Sequence, residues 1–370
     1  MTTAWSDTNC RELGVCVGRQ YDTGYPTAAS LGNAGLLLSR QPSRRVIRGE
    51  HTRLKVSIAL LTKNGGEPLK RCLHAICSQR LASTFEILAF DSGSRDGSQE
   101  VLKGHSRVIF SAIPAGEFQH GRTRNLAMRK ASGELVAFLT QDAVPASDDW
   151  LAQLVNFMDR HPEVAGAFGQ QIAHAGADPL EASEIARHFD TFTNRPCVFR
   201  ASPAPDDPAL ATQAQLHYFS NVNSCIRKQS WERIPFPEIE FGEDQAWAFE
   251  IQKAGLATGY VERAVVRHSH AYGALDLFRR RYDEARFMRR QFGYAPIASW
   301  REAARIARMH TASFQLHLAG LSPNPVAGTW LHAATRAWAS SLGRFAGTRL
   351  ANRDGLIHRC LSLTEKHRRG

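Results

Sequence analysis

The sequence is poor in cysteine and shows no pairing pattern. Seven cysteines are scattered through 370 residues. With no CxxC spacing and an odd total, they argue for reduced thiols and against a zinc ribbon or disulfide framework. No run of about eighteen apolar residues occurs, so no membrane-spanning helix is expected. A secretory signal is not expected either, because no basic stretch leads into an apolar one and Leu36-Leu37-Leu38 sits too far in. The expectation is a protein that stays in the cytoplasm. Two phosphate-binding signatures are also missing: there is no G-x-x-x-x-G-K-[ST] loop, and no G-x-G-x-x-G opens the first helix. Neither an NTPase nor a dinucleotide oxidoreductase is favoured. Without a glycine cradle, a diphosphate would need neutralising by a metal and by arginines. Acid is outnumbered, 35 Asp and Glu against 46 Lys and Arg, for a net charge of +11. Polyanions therefore suit as partners: nucleic acid, anionic lipid or a phosphate-bearing substrate.

What is present is a globular composition, 43% hydrophobic and 22% charged, with ample length for a core. Residues 1–52 carry no sustained period and read as a poorly ordered leader, with a short helix conceivable near 28–38. Order begins at Lys55. Val56 to Leu61 is strand-like, and Leu69, Cys72, Leu73 and Ile76 then recur at helical spacing. Phe85–Phe90 is a second strand, Val108–Phe110 a third, 121–130 a helix and Leu135–Leu139 a fourth strand. Ser147 is expected to cap a helix with Asp148 and Asp149 in its first turn. Its inner stripe would be Trp150, Leu151, Leu154, Val155 and Met158.

Strands alternating with helices predict an α/β fold, a mostly parallel sheet with helices on both faces. Ligands of such sheets bind beyond the carboxyl ends of the strands. Asn64, Asp91 and Asp142 all fall at those ends. Each alone would be a turn former, but three on one edge point to a site. Arg122 and Arg124 open the 121–130 helix, where backbone N–H groups also attract anions; a solvated helix end is the other reading. Glu243 and Asp244 begin a later helix whose inner residues include Ala246, Trp247 and Ile251. Val265 to His270 reads as a strand with His268 and His270 on one side, a pattern that suits a metal.

Taken in order, FDSGSRDGS, EFQHGRTRNLA, FLTQDAVPASDDWL, YFSNVNSCIRKQSW, GEDQAWAFEIQKAG and VVRHSHAY resemble family 2 glycosyltransferases with the GT-A (Rossmann-like) fold. More narrowly they resemble the bacterial rhamnosyltransferase branch. A basic helical extension is expected over 296–370 from its change of composition, after the catalytic domain over 53–295 that the resemblance implies. The resemblance also implies that Thr62, Asn64 and Asp91 hold the nucleotide's base and ribose, and that Arg124 and Gln141 lie on the donor side. Asp142 would bind a divalent cation, Mg or Mn, with His268 and His270. Asp244 would act as general base, with Glu243 beside it, in a single inverting displacement from dTDP-L-rhamnose to a lipid-linked or polysaccharide acceptor. There are departures: Thr140 and Gln141 leave Asp142 as the only carboxylate of its motif, Ser92 replaces an acid, and Ile234-Pro235-Phe236 lacks a preceding glycine pair. Those losses keep a second reading open, a non-catalytic basic binding protein on a decayed transferase scaffold.

The C-terminal part changes character. Arg279, Arg280, Arg281, Arg286, Arg289 and Arg290 sit among Leu277, Phe278, Tyr282, Phe287 and Met288. A later stretch sets Trp330, Leu331, Trp338 and Leu342 beside Arg336, Arg344 and Arg349. Such helices either lie on an anionic membrane surface as a peripheral protein or pack on the catalytic domain with a solvated basic face. Membrane contact would explain the charge without nucleic acid.

Overall fold

The structure, a computed structural model, describes residues 54–193, 197–200, 217–321 and 327–369. The leader 1–52 and the helix expected near 28–38 lie outside the described residues.

Strand β1 (Val56–Thr62) is buried along its whole length, which is why its sequence is an unbroken apolar run and does not alternate. It pairs in parallel with β2 (Phe85–Asp91) on one side and β4 (Leu135–Thr140) on the other. Strand β3 (Val108–Ala112) extends the sheet beyond β2. Helices α1 (Gly66–Cys77), α2 (Ser98–Gly104) and α3 (His120–Lys130) make the connections. The chain moves outward from β1 to β3 and then returns to the far side of β1. The carboxyl ends of β1 and β4 therefore flank a switch in strand order, where such sheets open a crevice.

From β4 outward the sheet is mixed. Strand β8 (Asn223–Arg227) runs antiparallel between β4 and β6 (Val164–Ile172), and β9 (Ala257–Arg267) lies parallel to β6. Two short strands, β5 (Val144–Pro145) and β7 (Val198–Phe199), pair antiparallel with β9. Helices α1 and α4 (Trp150–Arg160) cover one face through Leu69, Ile76, Leu151 and Met158. On the other face α3 and α7 (Glu243–Lys253) contribute Met128, Trp247 and Ile251 around Phe138 and Phe168. Between β8 and α7 lies the short α6 (Lys228–Arg233).

Two expectations need correction. Helix α4 starts at Trp150, two residues later than a cap at Ser147 implies, so Asp148 and Asp149 are not in its first turn. Asp149 is its N-cap residue and accepts bonds from Ser147 Oγ at 2.5 Å and Gln153 Nε2 at 2.7 Å, while Asp148 turns out to pair with Arg80. Strand β9 ends at Arg267, so His268 and His270 lie in the turn beyond it. The ladder stops because side chains replace its backbone partners: Ser269 Oγ accepts from His174 N, and Glu181 accepts from His270 N.

The C-terminal helices are α8 (Ala274–Phe292), α9 (Trp300–Leu321), α10 (Ala327–Arg349), α11 (Leu356–Leu361) and α12 (Leu363–Arg369). The backbones of α8 and α10 touch. A Cβ at Gly343 would lie 2.3 Å from Phe278 O, and one at Gly347 2.3 Å from Tyr282 O. Helix α10 also grips α5 (Pro179–Thr193), where Arg336 bonds Glu184 at 3.0 Å and His332 bonds Asp178 at 2.5 Å. Leu180, Phe314, Ala333 and Ala337 pack there as a small apolar cluster. Thr52–Gly370 is one compact unit.

This packing consumes the basic run of α8. Arg280 and Arg281 bond Glu284 at 3.0 and 2.7 Å, Arg279 bonds Asp276 at 3.2 Å, and Arg286 and Arg290 share Asp354. Free cationic surface is found instead on α9, where Arg301, Arg305 and Arg308 are exposed. Among them stand Trp300, Met309 and Leu316, at 56%, 53% and 76% exposed.

Candidate active site

The site is built from the ends of β1 and β4. Gln141, one residue past β4, is sewn to the turn after β1: its Oε1 accepts from Lys63 N at 2.8 Å and its Nε2 donates to Lys63 O at 2.9 Å. The next residue of that turn, Asn64, has φ of +50°, a left-handed conformation that asparagine tolerates better than most side chains. Its Oδ1 accepts from Arg95 N at 2.9 Å, tying the end of β1 to the loop after β2. Asp91 is fully buried, and its carboxylate accepts from Thr62 Oγ1 at 3.1 Å, Gly93 N at 3.0 Å, Ser94 N at 2.9 Å and Ser94 Oγ. Thr62, Asp91 and Gln141 thus spend their polar atoms on shaping the crevice wall. The exposed groups at this edge are Lys63 and Asn64. Sequence reasoning missed Asp96, whose carboxylate accepts from Gly66 N at 2.9 Å and Ser98 N at 3.1 Å and so fixes the start of α1.

Asp142 faces two imidazoles. His268 Nε2 and His270 Nδ1 each lie 3.7 Å from Asp142 Oδ2, and the three candidate ligand atoms are all within 4.8 Å of one another. The Asp142 and His270 side chains remain 29% and 40% exposed, so a ligand can reach them. Burial pushes His268 down to about 4 and lowers His270 as well, so both rings are neutral at physiological pH. Burial opposes the Asp142 carboxylate, but the facing histidines, His268 first and His270 next, outweigh it and hold the group below the usual range. One carboxylate oxygen and two neutral imidazole nitrogens form a donor set that fits a divalent transition ion. Behind them, Gln171 Oε1 accepts from His268 Nδ1 at 3.0 Å, while Gln171 Nε2 donates to Ser220 Oγ at 3.0 Å. That chain fixes the tautomer of His268 and leaves Nε2 as the lone pair aimed at Asp142, the usual arrangement behind a metal-binding histidine. The described residues hold one other such trio: Glu240, in the loop before α7, with His358 on α11 and Glu365 on α12.

The acidic pair sits at the start of α7. Gly242, its N-cap residue, has φ of +74°, and a Cβ there would meet the Phe287 ring at 2.6 Å. Only glycine fits, and α8 is thereby pressed against the mouth of this helix. Glu243 is buried and pairs with Arg124 from α3, itself 5% exposed. The guanidinium expected near a diphosphate is therefore engaged with Glu243, though its Nε is buried without a partner. Asp244 accepts from Asn221 N at 3.1 Å through Oδ2 and from Gln245 N at 2.9 Å through Oδ1. Burial, and next to it the charge of Glu243, raise the Asp244 carboxyl to about 6 against the pull of Arg124. A carboxylate tuned toward neutrality can take a proton near physiological pH. Ser220 and Asn221 are adjacent, so one short segment supports both the histidine side and the acid side.

The profile described as Glycosyl transferase family 2 matches residues 57–195. O-antigen chain rhamnosyltransferase RfbN of Salmonella typhimurium is 30% identical over 251 residues, spanning 65% of this chain and 77% of that one. The chain belongs to glycosyl transferase family 2. It is thus a glycosyltransferase, and the α/β GT-A architecture of the family agrees with the sheet described above. A second similar protein, O-antigen chain rhamnosyltransferase WbaN of Salmonella anatum, is 30% identical over 220 residues, 57% of this chain and 66% of that one. Among solved structures, a mannosyltransferase of Pyrobaculum calidifontis in complex with GDP-Man and Mn2+ shows a looser likeness. It is 17% identical, with a TM-score of 0.43 over 84% of this chain and 79% of that one.

Proposed function

We propose that this glycosyltransferase moves L-rhamnose from dTDP-L-rhamnose to a hydroxyl of a lipid-linked or polysaccharide acceptor in surface-glycan synthesis. The sugar and the O-antigen setting are supported by the two Salmonella relatives, whose names carry both. The observation that carries the chemistry is a pair of half-sites supported by adjacent residues: Asp142, His268 and His270, backed through Gln171 by Ser220, and the raised carboxyl of Asp244, bonded by Asn221.

Asp244 takes the acceptor proton as the hydroxyl oxygen bonds to the anomeric carbon. The bond from that carbon to the donor phosphate breaks in the same step, and its electron pair leaves with the nucleoside diphosphate. One base with no second nucleophilic carboxylate favours a single displacement with inversion through an oxocarbenium-like state. A divalent ion held by Asp142, His268 and His270 would supply charge stabilisation for the leaving diphosphate. Two imidazole donors favour Mn2+ over Mg2+. The histidines replace the acids missing from the motif, which favours a live transferase over a decayed scaffold. Thr62, Asp91 and Gln141 hold the donor crevice in shape, Asn64 offers its exposed edge to the nucleotide, and Arg124 pairs with Glu243 beside the base.

We place the enzyme at the inner surface of the cell membrane. Support comes from the exposed face of α9, where arginines stand among apolar side chains, and not from the paired arginines of α8. No helix among the described residues is long and apolar enough to cross a membrane. The decisive assay follows transfer from dTDP-L-rhamnose in Mn2+, in Mg2+ and in EDTA. Full activity in EDTA would remove the metal from the proposal, and a panel of nucleotide sugars with no preference for the rhamnose donor would remove the sugar.

A further inference from the structure

A second basic feature lies where α8 and α10 end. Arg289, Thr348, Arg349, Asn352 and Arg353 line a pocket of about 300 Å³ whose remaining lining residues are alanines. Three guanidinium groups share this space and no carboxylate lines it. Neither Arg349 nor Arg353 has an ion-pair partner among the described residues. Asp354, next in the chain, is already taken by Arg286 and Arg290. Arg289 donates one Nη1 hydrogen to Gly293 O at 2.7 Å, which steadies its guanidinium and leaves other N–H groups free to bond a ligand. Thr348 is only 9% exposed, yet its hydroxyl has no hydrogen-bond partner. Buried hydroxyls are normally satisfied. An unsatisfied one beside three uncompensated cations calls for a ligand rich in acceptor oxygens.

We propose that this pocket binds a phosphate monoester or diphosphate group. Planar guanidinium forks match tetrahedral phosphate oxygens two at a time, and a phosphate oxygen can also accept from the Thr348 hydroxyl. The lining has no aromatic side chain on which a nucleobase could stack, so the ligand is a bare phosphate head and not a second nucleotide donor. Exposed apolar residues flank the lining segments in sequence: Trp300 two residues beyond Ala298, and Leu356 and Ile357 shortly after Arg353, at 56%, 76% and 50% exposed. That setting suits a phosphate at a membrane surface, on either a lipid headgroup or the diphosphate of a lipid-linked acceptor. The membrane source rests on the peripheral placement proposed above; the phosphate site does not.

The test uses the full chain, Arg349→Ala/Arg353→Ala, and Thr348→Val. Flotation compares vesicles doped with phosphatidic acid, a monoester, with vesicles doped with phosphatidylglycerol to the same total charge. The native protein is expected to bind the monoester vesicles about tenfold more tightly, and the double variant to lose that preference while keeping its unfolding temperature and dTDP affinity. Thr348→Val should lose part of the preference without loss of fold. In a vesicle-free arm, inorganic pyrophosphate is added to protein saturated with dTDP and Mn2+, so that the donor site is already filled. A rise in unfolding temperature that the double variant lacks supports the pocket. If this arm succeeds while no vesicle is bound, the phosphate site stands and the membrane placement falls. A monoester preference that survives in the double variant, or equal vesicle binding with no pyrophosphate effect, overturns the pocket.

Discussion

Asp244 combines two demands that pull against each other. Its folded pKa of about 6 lies above the ordinary 3.8, so ionising it works against folding, a penalty fully present above about pH 6 and absent below about pH 4. Asp244→Asn is therefore expected to unfold a few degrees higher than the native enzyme at pH 7.5 while losing transfer by roughly 10²–10⁴-fold. A lower melting temperature with equal loss of dTDP binding would make Asp244 structural. The same pKa predicts that kcat/KM rises with pH up to about 6 and then levels. Glu243→Gln removes the neighbouring negative charge and should move that limb to lower pH; an unmoved limb would assign it to another group. On the metal side, Asp142→Asn and His268→Ala should each abolish the Mn2+ response without loss of fold, and the double variant should be little worse than either. Gln171→Leu should weaken Mn2+ binding by about 10–100-fold, since the tautomer of His268 is then no longer held; titration of Mn2+ by calorimetry reads this directly. Asp142, His268 and Asp244 were legible in the sequence because each polar residue interrupts or borders an apolar run. Gln171 and Ser220 were not. Their partners lie 97 and 49 positions away in the chain, and nothing local distinguishes them from ordinary surface amides and hydroxyls. Arg124 was legible as a special arginine, but its pairing with Glu243, 119 positions on, belongs to the folded chain alone.

The strands and helices up to α4 follow from period and punctuation, because each carries its own unbroken apolar run or helically spaced apolar stripe. The C-terminal helices are legible as basic helical segments too, but what their arginines pair with is not, because those partners are remote. A run of arginines has the same pattern whether acids wait opposite it or not, and Glu184, which receives Arg336, lies on α5. The contact between α8 and α10 depends on Gly343 and Gly347, whose missing side chains admit the other backbone. Gly347→Leu should push the two helices apart and lower the unfolding midpoint by several degrees, whereas the same change at Gly104, where a Cβ meets nothing within 4 Å, should be mild. Equal effects at the two positions would mean the close approach contributes nothing.

The net charge of +11 overstates the cationic surface, since much of α8 is neutralised from within. What remains outward includes the arginine face of α9 and the exposed Arg289, Arg349 and Arg353. Vesicle binding should therefore weaken steeply with salt, as charges are screened beyond about 10 Å at 0.1 M. Arg301→Glu/Arg305→Glu/Arg308→Glu should weaken it strongly while transfer to a soluble acceptor persists. Comparable binding by the reversed protein would place the membrane face elsewhere. Charge reversal on α8 should instead damage the fold, because Arg281 is packed against Glu284 and Arg286 is buried where it meets Asp354.

Ser220 answers to Gln171 and, through it, to His268; Asn221, the next residue, answers to Asp244. A single peptide bond thus sets the distance between two working parts that the chain otherwise places far apart. A side-chain change at either position could be absorbed by small rotations, but an insertion or deletion between them could not, since it would move one anchor along the chain while leaving the other in place. Lineages that adapt such an enzyme to new acceptors should vary freely in loop length elsewhere and keep this one interval fixed.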